Sequence, residues 1–471
     1  MESKTKRILA IALIAVIGIG AGVGIFIFVG LPTTASFAKP GVPSGVASDH
    51  ILRIGVVGDT GEITGDGAWE GTYLAVEEIN EAGGVTVGAD TYYFGIVRQD
   101  TDEGNPNLVT SRGIAAAERL VYDNEIQFAI GGFRTEAVLA YQEVFMDNDI
   151  IFMSVGVATD IFTDNVRSYY ARYKYYFRVM PTNSTSLGGQ IFAFMGNTIG
   201  TINAMYGAGT ITTVGILAED LTWTESTVNF LNTYIPFLGL TVPVTSSIRY
   251  DITLSAADMN THMQTFIDDG VDFLIPVISA QGGIMMMQQY ADLEPDFVIV
   301  GIDVQSQLDT FWDQSNEAAA YETVMQTLLD VAKTPTTLAF WNAFKDKWTH
   351  DPLYTAVGAY SAVMNLAWAI EEGQTIDNDE LIPVLETMTK ENMLANPADF
   401  PSSPSGLGAI WPGSHEAVAD YPSGYTLWVQ WNAAGEKQVV KSGGNWYPDD
   451  AFVGINNYIV APWVHTAWGG A

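Results

Sequence analysis

Arg134-Thr135, Thr159, Trp223 and Asp303 have side chains suited to holding a small molecule, and each falls close behind an apolar run of strand length. Ligands of open parallel sheets sit beyond the C-terminal ends of the strands, so these are the positions to weigh first. Thr135 opens a helix after the run Ile126–Phe133, where its hydroxyl either caps the helix or binds an anion beside free backbone N–H groups. Arg134 adds a cation that strengthens such a site or pairs with Glu136, an anion that must point away if the site is real. Asp303, delivered by Phe297–Ile302, suits a ligand ammonium; the plain alternative is a solvated loop aspartate. The indole of Trp223 covers an apolar ligand body and donates one hydrogen bond, or is an ordinary core aromatic. Thr159 and Asp160 also read as helix caps.

Enzymatic and cofactor motifs are missing. There is no GxSxG elbow, no HExxH and no GxxxxGK[ST] loop, so neither catalysis nor a cofactor is expected. The five histidines (50, 262, 350, 415 and 465) do not pair at metal-ligand spacing, and cysteine is absent. Asp100, Asp102 and Glu103 lack the full spacing of a calcium loop and read as a solvated turn. Asn183-Ser184-Thr185 is a sequon, either glycosylated or a polar turn.

The elements that must position these residues alternate. Strands are expected at Ile51–Gly58, Tyr92–Arg98, Ile126–Phe133, Ile150–Val155, Thr212–Ala218, Val271–Ile278 and Phe297–Ile302. Between them lie helices at Trp69–Ala82, Leu108–Asp123, Thr135–Asp147, Glu225–Tyr234, Asp258–Asp269 and Gly283–Leu293. This order gives an α/β fold of two doubly wound parallel-sheet lobes with helices on both faces. The Met285–Met287 run is expected in the core, and the aromatic tail Asn445–Trp468 packed on the second lobe.

Composition narrows the setting. The 471 residues carry 20 Lys and Arg against 54 Asp and Glu, a net charge of −34, which disfavours nucleic acid as a partner. After the basic start MESKTKR, Ile8 to Leu31 runs without a polar side chain. As a helix it spans about 36 Å, enough to cross a bilayer, with the N-terminus cytoplasmic and the rest outside. A signal peptide cleaved near Ser36-Phe37-Ala38 is the competing reading. The expected order is cytoplasmic end 1–7, anchor or signal peptide 8–31 and flexible linker 32–48. The acidity fits a saline habitat or an acidic cell surface equally.

The stretch IGVVGDTGEITGDGAWEGTYLAVEEINEAGGV (Ile54–Val85) resembles the opening of branched-chain amino acid-binding proteins of the type I periplasmic-binding-protein family. QDTDEGNP, AIGGFRTEAV, IIFMSVGVATD, YFRVMPT, VDFLIPVISAQGG and FVIVGID follow in the family's order, and GYTLWVQWNAAGEKQVV looks like its closing hairpin. The resemblance implies three crossovers, near 178–182, 324–330 and 417–424. The lobes then comprise 49–180 with 328–418 and 181–327 with 419–450, followed by an extension at 451–471. It implies that Thr135, Thr159 and the backbone at Val157, or at Ala158 after a one-residue slip, hold a ligand carboxylate. Asp303 would hold its ammonium, shorter than the Glu of some members, and Trp223 would wall the cleft. Ser279 replaces an aromatic residue and Thr64 lines the side-chain pocket, departures that put strict leucine specificity in doubt. The function implied is that of a tethered extracytoplasmic substrate-binding protein of an ABC importer, closing by hinge motion on an amino acid or small amide and docking on a membrane permease. A sensory ectodomain and a surface or adhesion protein are the alternatives.

Overall fold

The computed structural model describes residues 37–279, 282–406, 408–419, 424–441, 447 and 454–470. The expected anchor Ile8–Leu31 lies outside them, and no described helix is long and apolar enough to cross a membrane.

The chain builds β1 (Ile51–Gly58), α1 (Ile63–Glu81), β2 (Val85–Val87), β3 (Asp90–Asp100), α2 (Thr110–Glu118), β4 (Phe128–Gly131), α3 (Thr135–Met146), β5 (Ile151–Ser154), α4 (Ile161–Ser168) and β6 (Tyr176–Arg178). Their strands form one sheet in the order β2-β3-β1-β4-β5-β6, parallel except for the β2-β3 pair. Apolar side chains on both faces make the strands continuous hydrophobic runs, as a sheet covered on two sides requires.

A second sheet follows. It is built by α5 (Ser184–Tyr206), β7 (Val214–Glu219), α6 (Thr222–Tyr234), β8 (Ser247–Tyr250), α7 (Ala256–Asp268), β9 (Phe273–Ile278), α8 (Gly283–Leu293), β10 (Val298–Asp303) and β11 (Thr323–Gln326). The chain then makes α9 (Thr337–Trp348) and α10 (Tyr354–Gly373), whose residues Ala359 to Ile370 join the core of the first sheet. A short hairpin, β12 (Ile410–Trp411) with β13 (Glu416–Ala417), precedes β14 (Leu427–Trp431), β15 (Lys437–Lys441) and β16 (Asn456–Asn457). The second sheet runs β16-β15-β14-β11-β10-β9-β7-β8. Each lobe is therefore assembled from separate stretches of chain.

Helix α1 begins six residues before the expected start at Trp69, inside a stretch whose glycines read as a loop. Those glycines serve close packing. A Cβ at Gly65 would overlap the backbone of Asp59 and one at Gly67 would press on Thr355 Oγ1 of α10; within the expected helix, one at Gly71 would overlap the carbonyl of Ala356. Met286 and Met287 are buried as expected, whereas Met285 is half-buried at the edge of the same core. The tail packs on the second sheet, where Trp463 meets the rings of Tyr290 and Tyr321 and its indole N–H donates to Pro295 O at 3.2 Å.

Candidate functional site

A cavity enclosing about 1000 Å³, counted out to the solvent at its mouth, lies between the C-terminal strand ends of the two sheets. From the first sheet's side come Glu103, Arg134, Gly156 and Ala158; from the second come Glu219, Trp223, Ser279 and Ile302. Met180, Leu187, Leu221 and Tyr354 add apolar wall.

Of the residues singled out in the sequence, Arg134, Ala158, Trp223 and Ser279 line this space. Trp223, 8% exposed, sits in the first turn of α6, and its Nε1 donates to Glu219 Oε2 at 3.3 Å. Ser279 donates to the same oxygen from its N–H (2.9 Å) and its hydroxyl (2.6 Å). Three donors thus converge on one carboxylate oxygen at the end of β7, the pattern that favours a carboxylate anion.

Thr64, Thr135, Val157, Thr159 and Asp303 are buried but absent from the described lining. Thr64 belongs to α1, not to a loop. Thr135 is the first residue of α3, and its hydroxyl is buried without a hydrogen bond. Arg178, fully buried, donates to the carbonyls of Val157 and Thr159 (2.5 Å for the latter), while Ser184 donates to that of Ala158. This loop therefore has only its N–H side left for a ligand. Asp303 Oδ1 accepts from Gln305 N at 3.1 Å, and its other oxygen lies against Gly283 at the start of α8. Burial pushes both Asp303 and the neighbouring Glu322 above the ordinary carboxylate range; the charge of Glu219 raises Asp303 further, and that of Asp303 raises Glu322.

Glu136 does not merely avoid the site. Its Oε1 accepts from the N–H (3.0 Å) and hydroxyl (2.7 Å) of Thr222, which begins α6 on the other sheet's side. Burial pushes this carboxyl up, but the Thr222 bonds and the Arg134 charge outweigh it and hold it below its ordinary value. Arg134 Nη1 in turn donates to Asn105 O at 2.8 Å, with Nε 3.5 Å from Glu136 Oε2.

The reading of residues 100–103 as a solvated turn is corrected at Glu103. The turn after β3 folds this side chain under the start of α3, fully buried, where Oε2 accepts from Arg134 N (3.3 Å) and Tyr141 OH (3.4 Å). Burial raises its carboxyl to about 8 against the backbone bonds of Phe133 and Arg134. Asn183, the sequon residue, caps α5 through Ser186 N (2.8 Å) while its Nδ2 donates to the buried Glu416 (3.2 Å). An attached glycan would displace that second bond. Among the described residues no group of His, Asp and Glu is arranged to hold a metal ion.

Residues 52–408 match the sequence model of the family described as Periplasmic binding protein. The chain belongs to the periplasmic binding protein family. Its fold is that of the family's type I members. A leucine binding protein from Thermotoga maritima superposes with TM-score 0.62 at 17% identity, covering 82% of this chain and 97% of its own. A putative branched-chain amino acid ABC transporter protein from Silicibacter pomeroyi gives TM-score 0.68 at 16% identity, with 88% and 99% covered. A solute binding protein from Rhodopseudomonas palustris, solved with 4-hydroxybenzoate, gives 0.62 at 16%, with 81% and 93% covered. A search of curated protein sequences finds no match. At these identities the periplasmic binding proteins inform the fold and leave the ligand to this chain's own cavity.

Proposed function

We propose that this protein is the extracytoplasmic substrate-binding component of an ABC importer, held at the membrane by Ile8–Leu31, and that it takes an amino acid or related small amide between its lobes. The observation that carries this reading is a cavity lined from the strand ends of both sheets, apolar over most of its wall and polar at a few points. The solved relatives include a leucine binding protein and one holding 4-hydroxybenzoate. Arg134, Ala158, Trp223 and Ser279 contact the ligand; Thr135, Val157, Thr159, Thr64 and Asp303 act from behind the wall or through backbone N–H groups. The passages between sheets, after β6, after β11 and before β14, act as hinges, and a permease reads the closed form.

The test is a thermal-shift screen of the protein against the twenty amino acids, urea, short amides and small organic acids. A ligand at 100 times its Kd stabilises the fold by about 2.7 kcal/mol. A shift with members of one chemical class supports the reading; no shift with any compound overturns it.

A further inference from the structure

Charged residues make up 16% of the chain, yet none falls between Val179 and Ala218 or between Ser226 and Ile248. Those two stretches hold α5, most of α6 and the turn Ile235–Leu238 that follows it. The helices pack on each other, Gly188 of α5 against Phe230 of α6. The rings of Phe192, Phe230, Tyr234 and Phe237 form a connected ladder, with centroids 4.3 to 6.3 Å apart. It ends in the solvent: Phe237 is 79% exposed, Leu238 46% and Tyr234 43%. Beside it lies a groove enclosing about 810 Å³, counted out to the solvent, with Gly196, Gly200, Ile211, Leu238 and Leu240 in its wall. The two helical glycines are an independent mark. A Cβ at either would meet open space, so nothing in the chain's own packing requires glycine in the middle of this 23-residue helix. Glycine there weakens a helix, and the room it leaves admits a surface from outside. Acids that bond to these stretches do so at their margins: Asp160 and Glu416 at the start of α5, Asp272 at Thr212, and Asp269 at Thr245 and Ser246.

We infer that this face binds the same face of a second copy of the chain, the protruding Phe237 of each seated in the groove of the other. A knob and a groove on one face make a patch complementary to itself about a twofold axis. Charge selects this partner. The chain carries a net charge of −34, so two copies repel wherever acidic surfaces meet, and the uncharged face is the approach open to them. A lipid surface is matched by basic residues set among the apolar ones, and these stretches contain no Lys or Arg. An exposed aromatic patch of this kind is covered in the working protein rather than left in water. Helix α6 fixes where the contact falls. It begins beside Trp223 in the cavity wall and runs about 20 Å to Tyr234, so the patch lies at its end away from the cavity. The inference does not depend on the importer reading.

The experiment is sedimentation equilibrium of the full-length protein in detergent, from low salt to about 1 M. A monomer–dimer equilibrium is expected, tighter as salt rises because screening weakens the repulsion between acidic copies. Phe237→Glu is expected to weaken it about tenfold or more, with an unchanged circular dichroism spectrum. The chain has no cysteine, so single-cysteine variants report contacts cleanly. Phe237→Cys mixed with Gly200→Cys is expected to cross-link through a short bismaleimide, and Val109→Cys, exposed on the first lobe, with neither. A monomer at every salt concentration overturns the inference. A dimer that Phe237→Glu alters by less than twofold also overturns it and assigns the association to another part of the chain. In vesicles, a fluorophore on the Leu238→Cys variant is expected to escape quenching by spin-labelled lipid; quenching puts a bilayer on the patch and overturns the inference. The cross-linking pair keeps the test decisive should Phe237→Glu fail to fold.

Discussion

Glu103 shows what burial does to a single carboxyl. Its folded value of about 8 lies above the roughly 4.3 of an unfolded chain. The folded state therefore binds the extra proton between those values, so its contribution to stability is complete below about 4.3 and is lost as pH rises toward 8. Asp59, raised to about 6 chiefly by burial, acts in the same direction. Melting temperature is expected to be higher at pH 5 than at pH 7, with Glu103→Gln flattening the slope; calorimetry across that range checks it. Arg178 makes the complementary case. Its Nε stands 3.0 Å from Glu416, both buried, and its other nitrogens hold the 157–159 loop. Arg178→Met alone strands a buried carboxylate and is expected to cost about 3–5 kcal/mol in urea denaturation. Arg178→Met with Glu416→Leu should recover much of that loss.

At the scale of elements, α1 and α10 approach so closely that glycine is required at the contact. Gly71→Ala pushes a methyl into the Ala356 carbonyl and is expected to cost about 1–3 kcal/mol, read as a lower denaturation midpoint. The early start of α1 was hidden because the low helix propensity of Gly65 and Gly67 outweighed their packing on Asp59 and on Thr355 of α10, which only the folded chain brings together. Most other elements were legible because apolar runs and helical periodicity set them locally, and Gly283–Leu293 was read with its observed ends. Which strand-end acid lines the cavity was hard to read for a different reason. β7 ends at Glu219, one residue beyond the expected Ala218, and β10 ends at Asp303, one beyond Ile302. Successive residues of a strand face opposite sides, so which terminal acid enters a cavity depends on register and on the neighbouring sheet. No periodicity in either segment carries that information. Arg134 and Trp223, which line the cavity, stand at helix starts, where sequence marks position well.

At the scale of the molecule, Glu136 ties the start of α3, on the first sheet's side, to the start of α6 on the second's. Glu136→Ala removes two hydrogen bonds to Thr222 and frees Arg134. Charged hydrogen bonds of this kind are worth about 1.5–3 kcal/mol, so ligand affinity is expected to fall about tenfold or more, mainly through faster release. Stopped-flow dissociation and small-angle scattering of the liganded protein check the rate and the degree of closure. The interleaving of the two lobes has a further consequence, for the order in which the chain becomes a protein. The first sheet is complete at Arg178, yet the helix that covers α1 comes from Tyr354–Gly373. A chain made from its N-terminus carries that apolar face bare until three-quarters of it has been synthesised. Long-range contacts of this kind slow folding and leave an incomplete lobe exposed, so the last stretch to be made licenses the first to settle.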